Sequence, residues 1–338
     1  MRNNKRFLSV MPLLALGLSF VVLMTLAGCA GRAGAQTTNQ NQAAAESIAS
    51  LQTGTPRVYF TSNISPAGLM SVYEALGLTP NGNVAVKVHT GEPGNPHYLN
   101  PELIRDLVQR VNGTIVETNT AYGGRRASTA MHMQVARDHG FTAIAPVVIL
   151  DESEDISFPV TGGKHLTENF VGARFNEFDF HIVLSHFKGH LMGGFGGALK
   201  NLSIGYASAA GKMWLHSAGK NRTSFVAADQ NAFLESMAES AKSIIDKVNG
   251  RILYINVLNH LSVDCDCVGN PADPTMADIG ILASLDPVAL DQASVDLVYA
   301  APDSRDLIER IESRNGLLTI DHAANLGVGN KMYELIRL

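Results

Sequence analysis

Short apolar runs alternate along the chain with longer stretches in which apolar residues recur every three or four positions. Val58 to Thr61 reads as a strand, and Ser65-Pro66 opens a helix with an N-cap followed by proline at the first helical position. Asn83 to His89 reads as the next strand, after the turn signal Asn81-Gly82. Asn100-Pro101-Glu102 repeats the helix start, and Leu103, Leu107 and Val111 share one face of a helix ending near Asn112-Gly113. Thr114 to Glu117 follows as a strand, Arg126 to His139 as a helix stopped by Gly140, and Ala143 to Leu150 as a buried strand.

Between Asp151 and Lys164 the pattern loosens, then Phe178 to Leu184 resumes it as an apolar strand. Asp229 to Val248 is a long helix, Arg251 to Val257 and Asp278 to Ser284 are strands, and Asp286-Pro287 caps a helix running to about Tyr299. From Asp303 the tail is helical in two pieces, and no internal repeat is present. β-branched runs alternating with helices imply an α/β fold: a mostly parallel sheet, or sheets, with helices on both faces, as one large domain or two lobes.

The first 56 residues stand outside this rhythm. Arg2, Lys5 and Arg6 precede an apolar run from Phe7 to Leu26, and Leu26-Ala27-Gly28-Cys29 follows. A basic start, an apolar middle and small residues before the cut make an export signal. The quartet resembles a bacterial lipobox, which implies lipidation of Cys29 and a membrane attachment through that lipid. An uncleaved anchor is the alternative, since about 20 apolar residues span a bilayer. Ala30 to about Gly54 is Ala, Gln, Asn, Thr and Gly with almost no large apolar residue, a flexible tether. The expected organisation is therefore 1–29 signal peptide with its lipobox cysteine, 30–56 tether and 57–338 α/β domain, exported and lipid-anchored to the bacterial cell envelope.

Charge and cysteine content narrow the function. Loss of Arg2, Lys5 and Arg6 with the signal takes the formal charge from -5 to -8, and an acidic chain without a Lys/Arg cluster argues against nucleic acid as partner. After Cys29 only Cys265 and Cys267 remain, with no C-x-x-C anywhere, so no self-contained 4Fe–4S cluster or zinc ribbon is expected from them.

Four segments just beyond expected strands have the composition of a site. Ser185 to Asn201 holds two histidines, two lysines and five glycines in one turn-like stretch. Glycine lets backbone N–H groups approach a ligand, and His and Lys supply metal-ligating or anion-binding groups. His186 and His190 share a face if the piece is helical, although Gly189, Gly193 and Gly194 argue for a loop. Gly193, Gly194, Gly196, Gly197, Lys200 and Asn201 are candidates for cradling a cofactor or anion, and Lys200 for activating a carbonyl. Lys87 to Asn95 brings His89 and Glu92, acid/base candidates, unless it is an ordinary βα loop. Glu117 to Arg126 places Arg125 and Arg126 at a presumed helix start, an anion-site arrangement, with surface ion pairing as the bland reading. In Asp264-Cys265-Asp266-Cys267, extended backbone turns both thiolates the same way, toward one soft metal. A disulfide between them is sterically awkward at that spacing, and two small buried hydrophobes is the competing reading.

These motifs, with Asp278 to Ala289, resemble the domain-of-unknown-function family labelled uncharacterised iron–sulphur-centre proteins, from about Arg57 to the C-terminus. Many members carry a ferredoxin-like insert after the position of Lys212 to Ser217; Ala218 to Ala228 bridges that point here without cysteine. A shorter string, His190 to Lys200, is similar to the His…Ala-Gly-Phe/Tyr-Ser-Gly-Gly…Lys pattern of the nickel-pincer lactate racemases, which implies that His190 and Lys200 approach a nucleotide-derived cofactor.

The expectation is one centre built from distant loops, holding a divalent metal (zinc or iron) on His186, His190, Cys265 and Cys267 and a small anionic ligand on Arg125, Arg126 and Lys200. Such a centre suits a metal-dependent enzyme. A non-enzymatic solute-binding lipoprotein, or a relative that has lost its cluster, fits the same features.

Overall fold

The computed structural model describes residues 54–338, which fall in one compact unit. The expected signal peptide, Cys29 and most of the expected tether lie outside the described residues. In chain order the first elements are β1 (Arg57–Thr61), α1 (Pro66–Ala75), β2 (Val84–Lys87), α2 (Pro101–Arg110), β3 (Thr114–Glu117), α3 (Thr129–Asp138), α4 (Phe141–Ile144) and β4 (Val147–Ile149). β5 (Asp155–Pro159), β6 (Glu168–Gly172), β7 (Phe180–His186), β8 (Lys188–His190), β9 (Gly194–Gly196), α5 (Ala198–Ser203) and α6 (Ala209–His216) follow. The last are α7 (Gln230–Val248), β10 (Ile252–Leu258), β11 (Gly280–Ser284), α8 (Pro287–Ala300), α9 (Arg305–Ser313), α10 (Leu318–Asn325) and β12 (Glu334–Arg337).

Eight strands form one sheet in the order β12–β1–β11–β10–β7–β2–β3–β4. β10, β7, β2, β3 and β4 run parallel, β12 runs parallel to β1, and β11 alone is antiparallel to both its neighbours. Alternation along the central strands shows why both faces are covered. Ile252, Tyr254 and Leu258 of β10 enter one apolar cluster with residues of α5, α7 and α8, while Leu253, Ile255 and Val257 enter another with residues of α1 and α2. Strands buried on both faces read as continuous apolar runs, as these do.

Helix starts follow the capping chemistry. Ser65 Oγ accepts from Gly68 N at 3.1 Å, Asn100 Oδ1 from Glu102 N at 2.9 Å, and Asp286 Oδ1 from Val288 N and Ala289 N, both at 2.9 Å.

Several expectations need correction. α3 begins at Thr129, not Arg126, because Arg126 is buried in ion pairs before the helix starts. The run from Ala143 to Leu150 splits at Pro146 into the end of α4 and the short β4, since proline removes the donor and disfavours helix in the residue before it. The loosened region contains an antiparallel pair, β5 with β6. Ser185 to Asn201 is not one turn: His186 ends β7, β8 and β9 form a hairpin, and α5 starts at Ala198. His186 and His190 therefore sit on extended backbone and are not an i, i+4 helical pair.

Candidate functional site

Parallel strands present their carboxyl ends to one side, where open α/β sheets place ligands. The residues that end β2, β3 and β7, with the loop after β10, surround a cavity of about 110 Å³. Lys87 closes β2 and Glu117 closes β3, and the adjacent strands bring their side chains into a fully buried ion pair, Nζ to Oε2 2.9 Å. Glu117 Oε1 also accepts from Thr90 N at 2.9 Å and lies 3.6 Å from Arg126 Nη1. Burial favours the neutral form of Glu117, but Lys87 and the nearby His132 and His89 outweigh it and hold the pKa well below the usual range. Burial lowers the Lys87 pKa, an effect that Glu117 partly reverses.

Arg126 is buried between two carboxylates. Its Nε donates to Glu92 Oε2 at 2.7 Å and its Nη2 to the Tyr122 hydroxyl at 3.1 Å. Glu92 is thereby the arginine's counter-ion and does not line the cavity, which removes the geometric basis for an acid/base role. Arg125 is also off the cavity; it is exposed and lies 3.6 Å from Asp138.

Across the cavity, His186 is held at both ring nitrogens. Nδ1 lies 2.8 Å from Asp266 Oδ2 and Nε2 lies 2.8 Å from the Asn259 carbonyl. Both ring nitrogens are taken up by these protein oxygens, so His186 leaves the expected ligand set. Asp266 also pairs with Lys188 at 2.8 Å. Burial opposes its charge, yet His186 and Lys188 hold the carboxyl far below its ordinary pKa.

The other cavity histidines differ in which nitrogen is free. His89 Nδ1 accepts from Gly91 N at 3.0 Å, and His190 Nδ1 accepts from Gly193 N at 2.8 Å and Met192 N at 3.3 Å. Burial, with neighbouring cations, drives both pKa values well below 6.5. A neutral ring that accepts at Nδ1 carries its proton on Nε2, so both present N–H donors. His216 is the reverse: its Nδ1 faces the Lys212 carbonyl at 2.7 Å, leaving Nε2 as an acceptor, and burial lowers its pKa to about 4.

Four lysines line the cavity, and three are tied. Lys87 and Lys188 have carboxylate partners, and Lys212 Nζ donates to Thr118 Oγ1 at 2.5 Å and the Ala207 carbonyl at 2.6 Å. Burial brings the Lys212 pKa down to about 7. Lys200 Nζ has no hydrogen bond or ion pair among the described residues. Burial first, then Lys87, lowers its pKa to about 8.

Two glycines lie close to Lys200 and to the aspartate that anchors its helix. A Cβ at Gly196 would sit 3.0 Å from Lys200 Cδ, and one at Gly197 would sit 2.3 Å from Asp291 Oδ1. That aspartate, buried in α8, caps α5 by accepting from Ala198 N at 2.7 Å and Leu199 N at 2.9 Å. Asn201 lines the cavity and donates to Ser185 Oγ at 3.1 Å. Gly193 and Gly194 do not line it; Gly193 serves through its N–H to His190, and Gly194 packs on Gly316.

Cys265 and Cys267 reach the same wall as His190, and the three donor atoms lie within 4.8 Å of one another. Convergence of loops some eighty positions apart is thus present. The two sulfurs, however, are joined in a disulfide, with Cα atoms 5.3 Å apart. The donor set fits an iron–sulphur cluster poorly, since four-thiolate clusters need four cysteines and the described residues contain two. A single ion meets a further obstacle at His190, whose Nδ1 accepts hydrogen bonds where metal-bound histidines donate one.

Sequence reasoning passed over Lys87, Glu117, Lys188, Lys212, His216 and Asp266. Lys87 and Glu117 carried a readable signal: each is the single charged residue at the end of an apolar strand. Lys212 and His216 carried none, because only the packing of α6 brings that helix over the strand ends.

Residues 84–296 match the family model described as a domain of unknown function, DUF362. The chain belongs to this family. No curated protein matches it in sequence. Among solved structures, the DUF362 chain is similar to the lactate racemase apoprotein from Thermoanaerobacterium thermosaccharolyticum, at 16% identity and a TM-score of 0.38 over 59% of this chain and 50% of the other. It is similar to a protein from Thermotoga maritima at 12% identity and a TM-score of 0.38, over 76% of this chain and 58% of that one. The chain thus spans about half the length of the racemase, and neither likeness speaks to activity.

Proposed function

We propose that this DUF362 chain binds a small anion, with carboxylate or phosphoryl oxygens, in the cavity at the carboxyl ends of its parallel strands. The observation that carries the reading is an excess of positive charge inside an acidic chain. Lys200 and Lys212 line the cavity without a carboxylate partner, beside the Lys87–Glu117, Lys188–Asp266 and Arg126–Glu92 ion pairs, whereas the whole chain has a net charge of -5. Fixed cations in a low-dielectric pocket attract anions more strongly than the same charges in water. The Nε2–H groups of His89 and His190 add neutral donors. Calorimetric titration with sulfate, phosphate and acetate at low ionic strength tests this. Binding of at least one anion, weakened roughly tenfold or more in Lys200→Met by loss of a charge-assisted hydrogen bond, is expected. Absence of binding to all three overturns the reading.

A metal ion at His190, Cys265 and Cys267 is a second reading, favoured by the 4.8 Å grouping of their donor atoms. It requires reduction of the disulfide and loss of the hydrogen bonds to His190 Nδ1. Metal content of reduced, untagged protein, set against Cys265→Ser/Cys267→Ser, decides it; equal and negligible metal in both removes it. The proposal also includes export and lipid anchoring, resting on Leu26-Ala27-Gly28-Cys29.

A further inference from the structure

We infer that Lys200 is an amine nucleophile that condenses with the carbonyl of a small 2-oxo acid held in this cavity. The inference rests on the anion-binding reading and narrows it, because a 2-oxo acid joins the carboxylate that the cations attract to a carbon that an amine attacks.

Geometry separates Lys200 from the other cavity lysines. Lys87 and Lys188 are neutralised by buried carboxylates, and Lys212 is fixed to a hydroxyl and a carbonyl. Lys200 faces the cavity with no such partner among the described residues. Its stem runs over the bare backbone of Gly196, where a Cβ would stand 3.7 Å from Nζ and crowd the approach. Its helix is anchored at the first turn by Asp291 from a different helix, so the amine is presented from a fixed base. A neighbouring cation and a desolvated setting are the two means by which lysine nucleophiles are activated. Both are present, and they place the amine near half deprotonation at about pH 8.

The step balances without any redox partner. The neutral amine lone pair forms a bond to the carbonyl carbon, and the C=O π pair moves to oxygen, which takes a proton. Nitrogen loses its proton, the hydroxyl leaves as water after a second protonation, and the C=N bond remains. The Nε2–H groups of His89 and His190 are the cavity donors suited to stabilise the oxygen as charge develops.

The test uses pyruvate as probe on the intact mature chain, with borohydride to reduce any imine to a stable secondary amine. Intact-mass and peptide mapping should find one reduced pyruvyl group per chain on Lys200, with a yield that rises from about pH 7 to about pH 9. Lys200→Arg keeps the charge and should lose at least about tenfold of the adduct. An unmodified wild-type chain that binds acetate overturns the inference and leaves the anion reading standing. An adduct on Lys212, or one undiminished in Lys200→Arg, also overturns it. Failure to bind pyruvate overturns the inference, and removes the anion reading with it only if sulfate, phosphate and acetate also fail to bind.

Discussion

Protonation at single residues sets how this cavity responds to pH. With pKa values of about 7 and about 8, Lys212 and Lys200 lose their charge as pH rises through and above neutrality, while acetate stays ionised. Anion affinity should therefore fall from about pH 6.5 to about pH 9, by roughly tenfold for each charge-assisted hydrogen bond lost. His89 and His190, already neutral, contribute no step there. Calorimetry across that interval checks the direction, and Lys200→Met should remove the step at about pH 8. Asp291 gives a test of stability. Asp291→Ala leaves two N–H groups of α5 without acceptors, and each buried orphan costs about 1–3 kcal/mol, so thermal unfolding should move down by several degrees. At this scale the sequence identified Lys200, Asn201, His89, His190 and the paired cysteines as cavity residues, because glycine-rich strand ends are recognisable as they stand. It could not foresee that His186 is spent on Asp266, a partner 80 positions away, or that Glu92 serves Arg126.

Secondary-structure elements were legible where capping residues and continuous apolar runs coincide. β3 was read with its observed limits, α1, α2 and α8 start at the expected caps, and α7 starts one residue after its expected beginning. The β5–β6 pair was missed because β5 is mostly exposed and carries no apolar run. β8 and β9 were missed because each has three residues, and between them they hold three glycines. The C-terminal ends of β2 and β3 depend on each other through Lys87 and Glu117. Glu117→Gln leaves a buried ammonium without its counter-ion and should cost about 3–5 kcal/mol in chemical denaturation. Adding Lys87→Met to that variant should recover much of the loss. A double variant no more stable than the single would show that the pair does not couple the strands.

For the whole molecule, the parallel sheet with two helical layers follows from alternating apolar elements, whereas the charge asymmetry between cavity and surface does not. A total of -5 hides five cations gathered at one end of the sheet. The proposed export and lipid anchoring can be tested separately. Cys29→Ser should shift the protein from the membrane to the soluble fraction, since a lipid chain would be its attachment. Unchanged fractionation would discard the anchor.

β12 was invisible in the periodicity, yet it forms the outermost strand and pairs in parallel with β1. Residues 334–337 thus complete the margin begun by the first strand of the domain. Removal of residues 334–338 would lay bare the hydrogen-bonding groups of β1, and the shortened protein should self-associate at concentrations where the full chain stays monodisperse in light scattering. A fusion appended after Leu338 would emerge at the end of β1 opposite the tether, on the same side of the sheet as the strand ends that surround Lys200 but four strands away from β7.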